Sequence, residues 1–129
     1  MLSSQFAIDA AVHKNLPYSA LKDFAGVTRI GFSTQALIVP PQLGVKSVKD
    51  LIALAQAKPG QVFYSHAGAG SATHMNGERF RLAAGIKVTS VGFKGASDAT
   101  IEVIAGRVHF AIAIVGLAGA LPFIQDAMV

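Results

Sequence analysis

The densest chemistry in this chain lies between Tyr64 and Gly77, which reads Tyr-Ser-His-Ala-Gly-Ala-Gly-Ser-Ala-Thr-His-Met-Asn-Gly. An apolar run, Val62-Phe63-Tyr64, enters it and a helix-like segment leaves it. Gly68 and Gly70 break the chain between them, and Ser71 stands where a helix N-cap belongs. A strand–glycine loop–helix junction points free backbone N–H groups at one spot and adds the positive end of the helix dipole. The expected ligand is a carboxylate, held by the N–H groups of Ala72, Thr73 and His74, which have no partner of their own at a helix start. The Ser71 and Thr73 hydroxyls would assist, since hydrogen bonds to an anion are about twice as strong as neutral ones. The same residues also fit Ser71 as an ordinary N-cap over a glycine loop without a ligand. His74 either donates to an acid or packs under the loop. A second charge of interest is Lys94, set between Phe93 and Gly95 in a later loop, where glycine lets backbone approach a ligand.

Other chemistries find less support. A dinucleotide fingerprint needs a third glycine where Thr73 stands and an acid about twenty residues later, where the chain reads Val91-Gly92-Phe93. A P-loop needs Gly-Lys-Ser/Thr at the helix start. His74 and Glu78 have the i, i+4 spacing of two metal ligands, but no second histidine lies at helical spacing, so no metal is expected. Ser71 is not in a Gly-x-Ser-x-Gly elbow, which leaves catalysis on a bound acid as a minor reading. His13 and His109 read as incidental, His109 as a structural histidine at the head of an apolar strand.

Composition bounds the rest. The 129 residues are 52% apolar and 14% charged, one ordinary domain with enough apolar surface for a core. The absence of cysteine excludes disulfides, thiolate metal sites and thiol catalysis. The net charge of +4 favours an acidic ligand, but the basic residues are scattered without interleaved aromatics, so no nucleic acid is expected. Met1-Leu2-Ser3-Ser4 lacks the basic start of a signal peptide. The apolar run Phe110–Ile124 is shorter than the roughly 20 residues of a spanning helix and is broken by Gly116, Gly119 and Pro122.

The elements that must position the loop follow in order. A helix is expected over 3–14, a turn at Pro17-Tyr18-Ser19, a helical turn at Leu21–Phe24, and two strands, Val27–Phe32 and Ala36–Val39, split at Ser33-Thr34-Gln35. Pro40-Pro41 opens a connector to Lys46. Ser47, with Asp50 three residues on, starts a helix carrying Val48, Leu51, Ile52 and Ala55, which Pro59-Gly60 ends. Strand Gln61–Ser65 leads to the loop. A helix over Ala72–Ala84 follows, with Met75, Leu82 and Ala83 inward and Glu78, Arg79 and Arg81 outward, stopped by Gly85. Strand Lys87–Val91, loop Gly92–Ser97 and helix Asp98–Ala105 come next, with Ile101, Ile104 and Ala105 on one side. Strand Val108–Val115 and a short helix over Ala118–Asp126 complete the chain. Strands separated by helices predict an α/β fold with parallel pairing. In such a sheet ligands bind outside the carboxyl ends of the strands, where the His66–Ser71 and Gly92–Ser97 loops should lie side by side.

Five ordered blocks resemble the Bug family of extracytoplasmic solute receptors, the binding proteins of tripartite tricarboxylate transporters. They are Leu16–Phe24, Ser47–Ala55 with Lys58-Pro59-Gly60-Gln61, the loop ending Ser71-Ala72-Thr73-His74, Phe93-Lys94-Gly95, and Ala120–Ile124. The resemblance implies a type II periplasmic-binding-protein fold, in which two α/β lobes close on a carboxylate-bearing solute, without a cofactor and without catalysis. It places Ser65, Gly68, Gly70, Ser71, Thr73 and His74 on one wall of the site and Phe93, Lys94 and Gly95 opposite. Phe93 stands where the family usually has tyrosine, His109 where an acid is usual, and Asp98 where proline or alanine is common. Relative to the two-lobe family, 1–45 corresponds to a remnant of the first lobe with its hinge and 46–129 to most of the second lobe. The expected role is therefore that of a truncated, incomplete receptor, periplasmic by resemblance, which hands its solute to membrane permease subunits. The alternative is a ligand-free structural module that self-associates through the surface left by the missing lobe.

Overall fold

The computed structural model describes residues 4–28, 31 and 34–115. The first helix, α1 (Ser4–Val12), is followed by a turn in which Lys22 and Asp23 N–H donate to the Ser19 carbonyl and Asp23 caps Ser19 N–H in return. Phe6, Tyr18 and Phe24 pack as a three-ring cluster with centroids 4.9 to 5.6 Å apart. Val27, Thr28 and Gly31 lie in no strand, contrary to expectation; Val27 is 95% exposed, so no core draws it into a sheet. The other residues of that expected strand, 29, 30 and 32, lie outside the described residues.

Strand β1 (Thr34–Ile38) runs through the break expected at Thr34-Gln35, because β4 (Phe110–Val115) offers an unbroken antiparallel partner from Thr34↔Val115 to Ile38↔Ala111. A 3-10 turn (Pro41–Leu43) leads to α2 (Val48–Ala57). Ser47 caps α2 by accepting from Asp50 N–H at 3.2 Å, and Asp50 reaches back to Lys46 N–H at 3.2 Å, a local reason for the helix to start there. Strands β2 (Phe63–His66) and β3 (Thr89–Gly92) flank α3 (Ala72–Ala84), and α4 (Ala96–Ile104) precedes β4. The sheet order is β1-β4-β2-β3, with β2 parallel to both β3 and β4. The α/β fold and the parallel pairing after Ser47 are as expected. The expected helix over Ala118–Asp126 lies outside the described residues.

Alternation along the strands sends neighbours to opposite sides. Phe110 joins Leu51, Ala55, Val62, Tyr64 and Ile86 in one core, while Ala111 joins Ile38, Val103 and Val108 in the other. Tyr64 and Phe110 are fully buried and stack at 5.5 Å. The inward face of α3 differs from the expected one. Thr73 and Gly77 are buried and Phe80 and Ala84 pack on the core, whereas Leu82 is 68% exposed and Ala83 is exposed. The cause is the Tyr64 ring, which lies so close to Gly77 that any Cβ there would overlap it. Tyr64 O–H then donates to Glu78 Oε1 at 2.8 Å, drawing an expected surface carboxylate partly inward. In α4 the buried pair is Ala99 and Val103, one turn apart, while Ile101 is half exposed and Ala105 is exposed.

Candidate functional site

The side-by-side placement of β2 and β3 brings both strand-end loops together. Phe93 N–H donates to the His66 carbonyl at 2.9 Å, and a Cβ on Gly68 would lie 3.6 Å from the Phe93 carbonyl oxygen. Gly68 and Gly70 have φ of 106° and 77°, a left-handed backbone that glycine adopts without steric cost. Strand β2 extends one residue further than expected and takes in His66.

The first loop is held by its own side chains. Ser71, the N-cap of α3, accepts from His74 N–H at 3.2 Å. Buried Thr73 accepts from Ala67 N–H at 3.0 Å and meets the Ser71 hydroxyl at 3.1 Å. His74 Nδ1 accepts from Gly70 N–H at 3.1 Å. Of the three backbone donors assigned to an anion from the sequence, His74 N–H is thus engaged by the cap. Those of Ala72 and Thr73 have no partner among the described residues. Ser65 is buried, and its hydroxyl donates to the Ala99 carbonyl at 2.8 Å, fastening β2 to α4.

The second loop has a different make-up. Gly95 caps α4 without any side-chain hydrogen bond, Lys94 is exposed, and the half-buried Phe93 packs against the core formed by Ile38, Val103, Val108 and Ala111. Gly68, Ala69, Phe93 and Lys94 border an open recess of about 690 Å³ whose other wall includes Asp98 and Glu102. A second cavity of about 220 Å³ runs between α4 and β4, with Ser65, His66, Thr73 and Ser97 at its polar end and Ile101, Ile104 and Ala113 along its walls.

Two histidines sit at the junction. The His66 and His74 rings are 4.3 Å apart, and His66 is buried with Nδ1 lacking a hydrogen-bond partner among the described residues. Burial holds the His66 imidazole below its ordinary pKa, against the opposing Gly68 backbone. Arg81, followed by Tyr64, keeps Glu78 below the usual carboxylate range, while burial and then Glu78 push the Tyr64 phenol up. His66 was not singled out within this stretch because its burial and its contact with His74 depend on how α3 docks on β2. His109 is structural as expected: its Nδ1 accepts from Phe63 N–H at 3.1 Å and its ring stacks on Phe63. Among the described residues there is no group of three His, Cys, Asp or Glu side chains able to hold a metal, and no helix long and apolar enough to cross a membrane.

A mostly parallel sheet covered by helices, with two glycine loops at neighbouring strand ends, is the lobe architecture of periplasmic binding proteins. The chain belongs to the tripartite tricarboxylate transporter family receptors (TctC), whose pattern matches residues 1–128. It is 29% identical over 106 residues to protein BugT of Bordetella pertussis, covering 82% of this chain and 32% of the relative. A solved periplasmic transporter superposes with a TM-score of 0.76 at 27% identity, over 95% of this chain and 40% of that one. Rpa4515 of R. palustris, solved with adipate, gives a TM-score of 0.64 at 33% identity, over 70% of this chain and 30% of that one. The chain spans about a third of the length of the curated relatives it matches.

Proposed function

We propose that this chain binds the carboxylate of a small organic acid between the His66–Ser71 and Gly92–Gly95 loops, without turnover. In this reading it forms one side of a periplasmic receptor that delivers its solute to membrane permease subunits. The observation that carries the reading is the convergence of two loops from neighbouring parallel strands, one leading into a helix start whose Ala72 and Thr73 N–H have no partner among the described residues, the other carrying exposed Lys94. These groups supply hydrogen-bond donors, the positive end of a helix dipole and a cation, the set that suits a carboxylate. Family membership and the adipate complex of Rpa4515 support the same ligand class. Ser71, Thr73 and His74 shape the cradle, Gly68, Gly70 and Gly95 allow close approach, and Phe93 presents a ring without a hydroxyl. Residues 1–45 correspond to the first lobe and its hinge and 46–129 to the second lobe.

Calorimetric titration with adipate, malate and benzoate, set against adipamide, tests the reading. Saturable heat with an acid and none with the diamide is expected. No heat from any acid at millimolar concentration overturns it. A second reading, a self-associating module, is favoured by β3 at the open edge of the sheet with Thr89 and Ser90 exposed, and by exposed Leu82 and Ile101. Light scattering decides it, since a monomer at high concentration excludes obligatory pairing.

A further inference from the structure

We infer that His74 is a positioning residue that closes the anion loop with an uncharged acceptor at a position where capping boxes carry Glu or Gln. The inference rests on the carboxylate-binding reading above and adds a reason for the residue type. Helix α3 begins with a variant of the capping box, in which the backward bond goes to the residue before the N-cap, while Ser71 N–H itself donates to the Gly68 carbonyl. Ser71 Oγ accepts from the N–H of His74, three residues on, and the His74 side chain turns back to accept from Gly70 N–H. In the common capping box the backward-reaching residue at this position is Glu or Gln. A glutamate here would set a negative charge beside the Ala72 and Thr73 N–H groups and repel a carboxylate ligand. An imidazole accepting through Nδ1 carries its proton on Nε2 and is neutral, so the loop is closed without that charge. The ring is held in this pose by His66, 4.3 Å away, which is itself buried among Tyr64, His74 and Gly92. Of the carboxylates around the loop, Glu78 is engaged by Tyr64 O–H and Arg81 and Glu102 by Arg107, while Asp98 borders the recess beyond Lys94.

Three substitutions separate the acceptor from the charge: His74→Gln, His74→Glu and His74→Leu. Two readouts are taken on each, hydrogen exchange at the Gly70 amide and calorimetric affinity for adipate. Long-range ¹H–¹⁵N spectra of the unsubstituted chain should show Nδ1 unprotonated. His74→Leu should speed Gly70 exchange by about tenfold and weaken adipate by a similar factor. His74→Gln should restore both to within about threefold. His74→Glu should keep Gly70 protected yet weaken adipate by more than about tenfold. The inference is overturned if His74→Leu leaves Gly70 exchange unchanged, or if His74→Glu binds adipate as well as His74→Gln. It is also overturned if His74→Gln protects Gly70 but loses adipate, because the imidazole would then touch the ligand itself. If the unsubstituted chain binds no acid, the functional reading fails, and Gly70 exchange alone still decides whether His74 holds the loop.

Discussion

The two loops that meet at the sheet edge are built on opposite plans. The His66–Ser71 loop is fixed by Ser71, Thr73 and His74, each bonded to loop or helix-start backbone, over a floor made by buried Tyr64 and His66. The Gly92–Gly95 loop has a glycine cap with no side-chain bond, and its one charge is exposed. A rigid cradle holds the charged end of a ligand at low entropic cost, while a less restrained wall can adjust to the rest of it. The difference predicts that changes at Ser71, Thr73 or His74 lower stability, whereas a change at exposed Lys94 does not.

The largest effect should come from beneath the first loop. Gly77→Ala would raise helix propensity at an open site, but here the new methyl meets the Tyr64 ring, so a loss of about 3 kcal/mol is expected in urea unfolding. An unchanged midpoint would mean that the floor is not tightly packed. Thr73→Val leaves Ala67 N–H without its acceptor in a part-buried place and should cost about 2 kcal/mol, with weaker adipate binding in calorimetry. Ser71→Ala removes the α3 cap for about 1 kcal/mol. Ser97→Ala, in the first turn of α4 just after the second loop, should stay within about 0.5 kcal/mol, and a larger loss would weaken the contrast between the loops.

Acid should act on the first loop as well. The folded-state pKa of His66 lies below its ordinary value, chiefly through burial, so as pH falls through about 6.5 the unfolded chain takes the proton first. The His66 contribution is therefore complete above that range and is lost as pH falls toward the folded-state value. His109, lowered by burial and by Lys58, acts in the same direction. A melting temperature that drops from pH 7 to pH 5, with a shallower slope in His66→Gln, is expected; equal slopes would remove His66 as the cause. The smallest effect belongs to Lys94→Ala. It should weaken adipate by about threefold at low salt, with less difference at high salt and no change in melting temperature.

What could be read in the sequence was what short-range chemistry determines. Ser47 with Asp50, Ser71 before α3, and Gly85 in the left-handed region at its end are caps whose partners lie within a few residues, and all three form. The inward face of α3 could not be read this way. It depends on Tyr64 pressing against Gly77 and bonding Glu78, contacts between separate elements that periodicity does not report. The same holds for β1, whose extent follows from the length of β4 rather than from its own alternation. At the site, the glycines and Ser71 were visible as a loop before a helix. That His74 Nδ1 would reach Gly70 instead of outward, and that Ser65 would turn to Ala99, emerged only once α3 and α4 were docked.

The antiparallel pairing of β1 with β4 has a mechanical consequence. Thr34 lies opposite Val115, so the chain enters the sheet through β1 beside the place where it leaves through β4. Because β4 runs parallel to β2, this shared doorway is at the sheet end that carries the two glycine loops. Two attachment points this close together permit rotation about the line between them and resist sliding. In the receptor reading proposed above, a body on such a double attachment would swing toward the loops or away from them.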